Sequence, residues 1–311
     1  MTGYEALRGN CAWVNLSMRG KLRVIGEDRA RLLHAMSTNH IEGLQPSDGL
    51  YAFFLTAQGR ILADANIYNR GESLLLDTEP EICDKLRNHL DKYIIADEVT
   101  IEDETAQWAA IGLEGPQSLE CAKKLGIPAP QEKYSVTDWG AGFVARTART
   151  GPEGIRIFVL PRDEADVLSR CAELAIPNAT ASEARIVRLE NGIPRYGDDI
   201  TEKSLPQETQ AMHAVHFNKG CYLGQEIVER VRSRAQIHRL LTPIRIQSSL
   251  PPAPGAKLSA DGKDLGEITS AEYSLSLGEV VGLAYIRTEA ARDEAAMFVT
   301  GSNPPVTVRV V

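Results

Sequence analysis

A chain of 311 residues is too long for one ordinary core and points to two or three domains. Its 43% hydrophobic and 24% charged residues fit a globular protein, and no apolar run approaches the roughly 20 residues of a membrane span. A formal charge of −8 argues against general nucleic-acid binding, which needs a broad basic footprint.

The opening MTGYEALRGNCAWVNL has neither the basic and apolar regions of a secretory signal nor the composition of a transit segment, so a cytoplasmic location is expected. KLRVIGEDRARLLHAM predicts a strand, a Gly-Glu-Asp turn and a helix with Leu32, Leu33 and Met36 on one side. YAFFLTAQGRILADANIYNR reads as two strands about Gln58-Gly59. Asp64 and Asn66 share a face with Leu62 and Tyr68, as a pocket wall or a half-exposed hairpin would. SLLLDTEPEICDKLRNHL gives a second helix, with Thr78 and Glu81 as a capping box and Ile82, Leu86 and Leu90 as its stripe.

The plan then repeats. WAAIGLEGPQSLECAKKLG predicts a strand over 109–113 and a helix with Pro116 in its first turn. Its stripe is Leu119, Ala122 and Leu125, and Gly126 ends it. IRIFVLPRDEADVLSRCAEL closes the copy, with Asp163 as N-cap and Leu168, Cys171 and Leu174 inward. Two ferredoxin-like β-α-β-β-α units packed as a pair make this an α+β protein. SEARIVRLENGIPRYGDDI is a helix stopped by Gly192 and Pro194. After the proline-rich joint QSSLPPAPGAKL come short strands, with a hairpin turn at Asp261-Gly262, read as a small β-barrel. The expected units are 1–104 with 182–241, then 105–181, then 242–311.

Five cysteines, Cys11, Cys83, Cys121, Cys171 and Cys221, are widely spaced, form no CxxC and are odd in number, so neither a disulfide framework nor a zinc site is expected. Cys83, Cys121 and Cys171 fall on or beside apolar stripes and read as small core hydrophobes. Cys221 differs. In NKGCYLGQEIVERVRSR it lies between Gly220 and Gly224, just before a helix and two residues after Lys219. A helix N-terminus and nearby cations favour a thiolate, so a reactive thiol stands beside the plainer reading of a tight turn. Between residues 219 and 239 five Lys or Arg face Glu226 and Glu229, a patch suited to a small anion or to solvent. His213 and His216, three apart, allow an open metal site with Cys221 but lack a fourth ligand. Glu190 sits in the last turn of its helix, where a carboxylate is mildly unfavourable. It reads either as a ligand for an aminopyrimidine-like edge or as a partner of Arg188 or Arg195.

KGCYLGQE (219–226) resembles the signature of YgfZ-type folate-binding proteins, whose mitochondrial relatives serve iron–sulfur cluster assembly. RLENGIPRYGDDI, LPQE and MRGKLRVIGED look like the wider superfamily shared with the glycine cleavage T-protein. The resemblance runs nearly end to end. It implies a cloverleaf of three subdomains around a cavity for tetrahydrofolate, Glu190 on the pterin, Lys219 near the folate and Cys221 as an essential thiol. The Asp-Asp pair of the T-protein falls on Ala63-Asp64, Lys219 replaces an arginine, and Gln225 stands where Arg or Lys is usual. These departures count against aminomethyl transfer. The function implied is a folate-dependent accessory factor for iron–sulfur proteins, including radical enzymes that modify tRNA. Its partners would be iron–sulfur client or assembly proteins, with no direct contact to nucleic acid or membrane. The alternatives are a tetrahydrofolate-dependent aminomethyltransferase or demethylase using Asp64, and an interaction scaffold with a vestigial pocket.

Overall fold

The computed structural model describes residues 1–234, 237–292, 296–302 and 305–311. Helix α1 (Gly3–Gly9) and strand β1 (Ala12–Asn15) lead in. The first unit follows as β2 (Gly20–Ile25), α2 (Arg29–Met36), β3 (Gly49–Leu55), β4 (Ile61–Asn69), β5 (Leu74–Thr78), α3 (Cys83–Asp91) and β6 (Thr100–Asp103). The second contains β7 (Ala109–Glu114), α4 (Ser118–Lys124), β8 (Val136–Trp139), β9 (Gly142–Ala145), β10 (Gly154–Val159) and α5 (Glu164–Glu173). The two sheets run β3-β4-β5-β2-β6 and β8-β9-β10-β7-β1, the same order with the fifth place filled from opposite directions along the chain. The duplication is therefore real: the repeated part runs β-α-β-β-β-α, one strand more than a β-α-β-β-α unit, and β6 or β1 adds a fifth strand to each sheet. β1 pairs with β7, Ala12 opposite Glu114, so the N-terminal strand belongs to the second sheet although it precedes the first unit.

Four layers result. One face of the first sheet packs Leu22, Phe54 and Ile67 against Leu33, Met36, Leu86 and Leu90 of α2 and α3. One face of the second packs Ile111, Ile155 and Ile157 against Ala122, Val167 and Cys171 of α4 and α5. The other two faces meet through Tyr68 and Leu75 on one side and Ala110, Phe143 and Phe158 on the other, with Phe143 and Phe158 stacked at 4.3 Å. α6 (Ala181–Glu190) and α7 (Gln225–Arg234) lead to β11 (Arg239–Ile246), β12 (Lys257–Ala260), β13 (Lys263–Ser274), β14 (Glu279–Arg287), α8 (Thr288–Arg292), β15 (Met297–Val299) and β16 (Thr307–Val310). These six strands close as β11-β14-β13-β12-β15-β16, a barrel starting three residues before 242. Asp261 (φ 51°) and Gly262 (φ 74°) make the β12–β13 turn with both residues left-handed, the hairpin geometry that sequence calls for.

The helix ends show which local signals held. Gly126 (φ 66°) ends α4 with Ile127 N–H bonded to Ala122 C=O, and Gly192 (φ 64°) ends α6 with Ile193 N–H bonded to Arg188 C=O. The Thr78–Glu81 capping box does not form. Thr78 Oγ1 donates instead to Asp64 C=O (2.6 Å), and the chain enters α3 through a 3₁₀ turn, Pro80–Ile82. Asp163 stands at the N-cap position without a side-chain bond, and Leu174 is exposed while Val167 fills the inward position. α1 was not anticipated, although Thr2 and Glu5 form a capping box that the T-x-x-E pattern announces. Cys11, Cys83, Cys121 and Cys171 are buried and Cys221 alone of the five is exposed.

Candidate functional site

Alternation along the strands builds the site. Tyr68, Leu75 and Phe158 form the apolar sheet–sheet contact. Stepping two residues along the same faces reaches Asn66 and then Asp64 on β4, Asp77 on β5 and Arg156 on β10. The interface thus turns from apolar to charged and opens into a cavity of about 680 Å³. The segment after α6 covers it with Ile193, Arg195 and Tyr196, and Leu241 and Pro243 reach in from β11, so all three parts of the chain contribute.

Asp64 lies in this wall and is buried. Tyr51 Oη donates to its Oδ2 at 2.6 Å. Burial pushes the Asp64 carboxyl up to about 6; the Tyr51 bond opposes that and Glu79 adds to it. Glu79 goes the other way: burial alone would raise it, but Arg19, Arg149 and Arg195 hold it at about 2. Asp77, fully buried, accepts from Arg19 Nε at 2.6 Å and meets Arg156 from the other side. Burial and the Arg19 charge bring the Arg156 guanidinium down to about 9. His213 stacks on Tyr51 (centroids 5.5 Å) and lies parallel to Tyr134 (6.5 Å), giving the cavity a flat aromatic edge. None of Arg19, Asp77, Glu79 or Arg156 was singled out from sequence. The available signal was a lone charged residue at an inward position of an otherwise apolar strand, as in GIRIFV, where all six residues are buried.

The structure brings Asp64 to the cavity and places Glu190, Lys219 and Cys221 outside its lining. Glu190 turns toward α1 and β13. Tyr4 Oη (2.5 Å) and Ser274 Oγ (2.6 Å) donate to its Oε1, and Arg8 Nε to its Oε2 (2.7 Å). The partners weighed for it, Arg188 and Arg195, bind Asp199 and Glu79 instead. Lys219 is buried with its ammonium on the last turn of α2, donating to the carbonyls of Ser37 (2.7 Å) and His34. Burial lowers the Lys219 ammonium to about 7.

Cys221 sits on a strut fixed from both sides. His34 Nε2 lies 2.9 Å from Lys219 C=O, and Leu223 N–H donates to Ala35 C=O at 2.9 Å. Tyr222 is buried under the Lys219 ammonium, 4.9 Å from its ring centroid. With Lys219 and Tyr222 anchored inward, Cys221 faces solvent. His213 and His216 diverge, His213 to the cavity and His216 to His40 (centroids 5.2 Å). Among the described residues no group of three or more His, Cys, Asp or Glu is placed to hold a metal ion. Gly224 closes the strut where it crosses the β3–β4 turn. At φ 84°, a Cβ there meets Thr56 C=O at 2.7 Å and Leu55 Cβ at 3.1 Å. Gly224→Ala is expected to cost about 2–4 kcal/mol in urea unfolding. Gly220→Ala, at φ 96° with open space around it, should cost only the backbone strain of about 1–2 kcal/mol. Equal costs at the two positions would show that the crossing is not tight.

Three packed parts enclosing a charged cavity, with an exposed thiol on a separate strut, define a duplicated α+β protein with a C-terminal barrel. The chain belongs to the glycine cleavage T-protein superfamily: residues 2–219 match the GCVT N-terminal domain and residues 239–311 the glycine cleavage T-protein C-terminal barrel domain. It is 27% identical to an aminomethyltransferase of Rubrobacter xylanophilus, covering 99% of this chain and 84% of that one. It is 30% identical to the mitochondrial iron–sulfur cluster assembly factor IBA57 of Mus musculus, covering 89% and 78%. The crystal structure of glycine cleavage system aminomethyltransferase T from Bartonella henselae superposes with a TM-score of 0.90 at 19% identity, over 99% of this chain and 87% of that one, and shares its fold. No helix among the described residues is long and apolar enough to cross a membrane.

Proposed function

We propose that this chain is a tetrahydrofolate-binding accessory factor in the assembly, maintenance or repair of iron–sulfur proteins, with Cys221 as the thiol offered to a client. The observation that carries this reading is the strut: an exposed cysteine whose neighbours Lys219 and Tyr222 are buried and fixed to α2. Similarity to an iron–sulfur cluster assembly factor supports it. Folate belongs in the central cavity. The volume is that of a cofactor site, Tyr51, His213 and Tyr134 offer flat faces for a ring, and Asp64 offers a carboxylate to a pterin's N–H edge. In this reading Glu190 acts at second hand, fastening α1 to the end of the helix whose following residues cover the cavity.

Calorimetry with tetrahydrofolate and complementation of cells lacking the protein test the two parts separately. Cys221→Ser is expected to bind tetrahydrofolate as the wild type does and to fail to restore iron–sulfur enzyme activity. Full restoration by Cys221→Ser would sink the thiol's role, and no heat of binding in the wild type would leave a protein-interaction scaffold. A second reading, an aminomethyltransferase of the T-protein type, is favoured by the placement of Asp64 in the cavity wall beside Tyr51. Turnover of an aminomethyl donor with tetrahydrofolate, lost in Asp64→Asn, would establish it.

A further inference from the structure

We infer that a second cavity, between α7, α8 and the barrel strand β11, binds a small amphipathic carboxylate, with an apolar body against the wall and an anionic head on Arg232. This cavity measures about 750 Å³, the size of a small-molecule site, and shares only Gln210 with the central one among the described residues. Its wall is built from Met212, Phe217, Val231 and Leu240, all half-buried, so each keeps apolar surface that a ligand would take out of water. The neutral polar groups of the wall are already engaged. Gln207 and Gln210 donate to the carbonyls of Val228 (2.8 Å) and Leu241 (2.7 Å), and the hydroxyls of Thr242 and Thr288 donate to those of Leu240 and Ile237. What the lining leaves to a ligand is apolar surface and charge of one sign.

Arg232 and Arg292 are the charged side chains of the lining, with no acidic one among the described residues, in a chain whose formal charge is −8. Both are exposed and within reach of a ligand. Arg232 lies over the Phe217 ring, 4.5 Å from its centroid, which holds the guanidinium at the mouth. Its ion pair with Glu229 on the same helix is 3.4 Å long, with side chains 52% and 39% exposed, so exchanging it for a ligand's carboxylate costs little. A carboxylate there meets the guanidinium fork with two parallel bonds, and the apolar wall adds a hydrophobic gain that a bare ion lacks. A ligand so placed touches α7, α8 and β11 together and bridges the helix that follows Cys221 to the barrel.

Octanoate is the probe, with octanol for the apolar body alone and acetate for the head alone. In thermal unfolding at neutral pH and constant ionic strength, octanoate is expected to give a saturable rise in Tm of several degrees. Calorimetry should show one octanoate bound per chain, and octanol and acetate should each stabilise less. Arg232→Gln should bind octanoate about tenfold more weakly and octanol unchanged, since only the charge-assisted bonds are lost. Val231→Trp, which fills the cavity from α7, should abolish octanoate binding; Arg232 is exposed, so its variant keeps the test open if the Trp variant does not fold. Asp64→Asn, in the central cavity, should leave octanoate binding as it is. No saturable rise in the wild type, undiminished affinity in Arg232→Gln or in a folded Val231→Trp, or loss of octanoate binding in Asp64→Asn would overturn the site. Octanol bound as tightly as octanoate would overturn its assignment to a carboxylate.

Discussion

Asp199→Ala is expected to destabilise the protein by about 3–5 kcal/mol, read as a lowered urea midpoint with the slope unchanged. Asp199 is 1% exposed and its carboxylate is fully used. Oδ2 accepts from Arg188 Nη1 at 2.6 Å and from Arg195 N–H at 3.0 Å, while Oδ1 accepts from Thr269 Oγ1 at 2.6 Å and from Ser270 Oγ. It therefore ties the end of α6 and the cavity-covering segment to β13 of the barrel. Alanine would leave Arg188, itself 4% exposed, with only the carbonyl of Ile193 at 2.6 Å and the more distant Asp198 at 3.3 Å. Most of the cost is that stranded charge and not the lost bonds, so removing both partners is expected to be milder. Arg188→Met with Asp199→Leu should recover a large part of the loss. A single-variant cost below about 1 kcal/mol would mean that the tie between α6 and the barrel is not a stability determinant.

The features legible in the sequence are those whose causes lie within a few residues. The duplicated order of strands and helices follows from apolar periods, and the left-handed glycines at 126, 192 and 262 follow from helix ends and a two-residue turn. The buried cysteines follow from stripe positions, and the exposed Cys221 from its want of apolar neighbours. The direction of a long polar side chain does not work this way. Glu190 meets Tyr4, 186 positions away, and Lys219 meets His34 at a separation of 185, so no local pattern distinguishes these partners from a ligand. The same holds for the Thr78 hydroxyl, which helix-start rules assign to a cap and which the neighbouring strand takes through Asp64 C=O. The charged floor hid inside strands that read as apolar, because a strand buried on both faces carries no alternation to reveal which face is the pocket. Asp64 was legible because Asn66 two residues on repeats its polarity on the same face.

Asp64→Asn is expected to make the protein more stable at pH 8, by about 3 kcal/mol, and to leave it unchanged near pH 3. In the unfolded chain the Asp64 carboxyl titrates at 3.8, and burial raises it to about 6 in the fold. The folded state therefore holds that proton more tightly, so its contribution to stability is complete below about pH 4 and is lost as pH rises through about 6. A difference of about 2 pKa units corresponds to about 3 kcal/mol of strain at alkaline pH. Asparagine keeps an oxygen for the Tyr51 hydroxyl, now 2.6 Å from Oδ2, and leaves the Thr78 bond untouched because that bond uses the backbone carbonyl. Urea unfolding across pH 3–8 reads the effect as two curves that meet at the acid end and separate between pH 4 and 6. A variant less stable than the wild type at pH 8 would show that Arg19 and Arg149 outweigh burial and that the carboxylate belongs to the charge network. A stabilised variant that binds tetrahydrofolate poorly would instead mark Asp64 as a group held at a cost for its ligand, since a carboxyl titrating near 6 can keep or release a proton under working conditions.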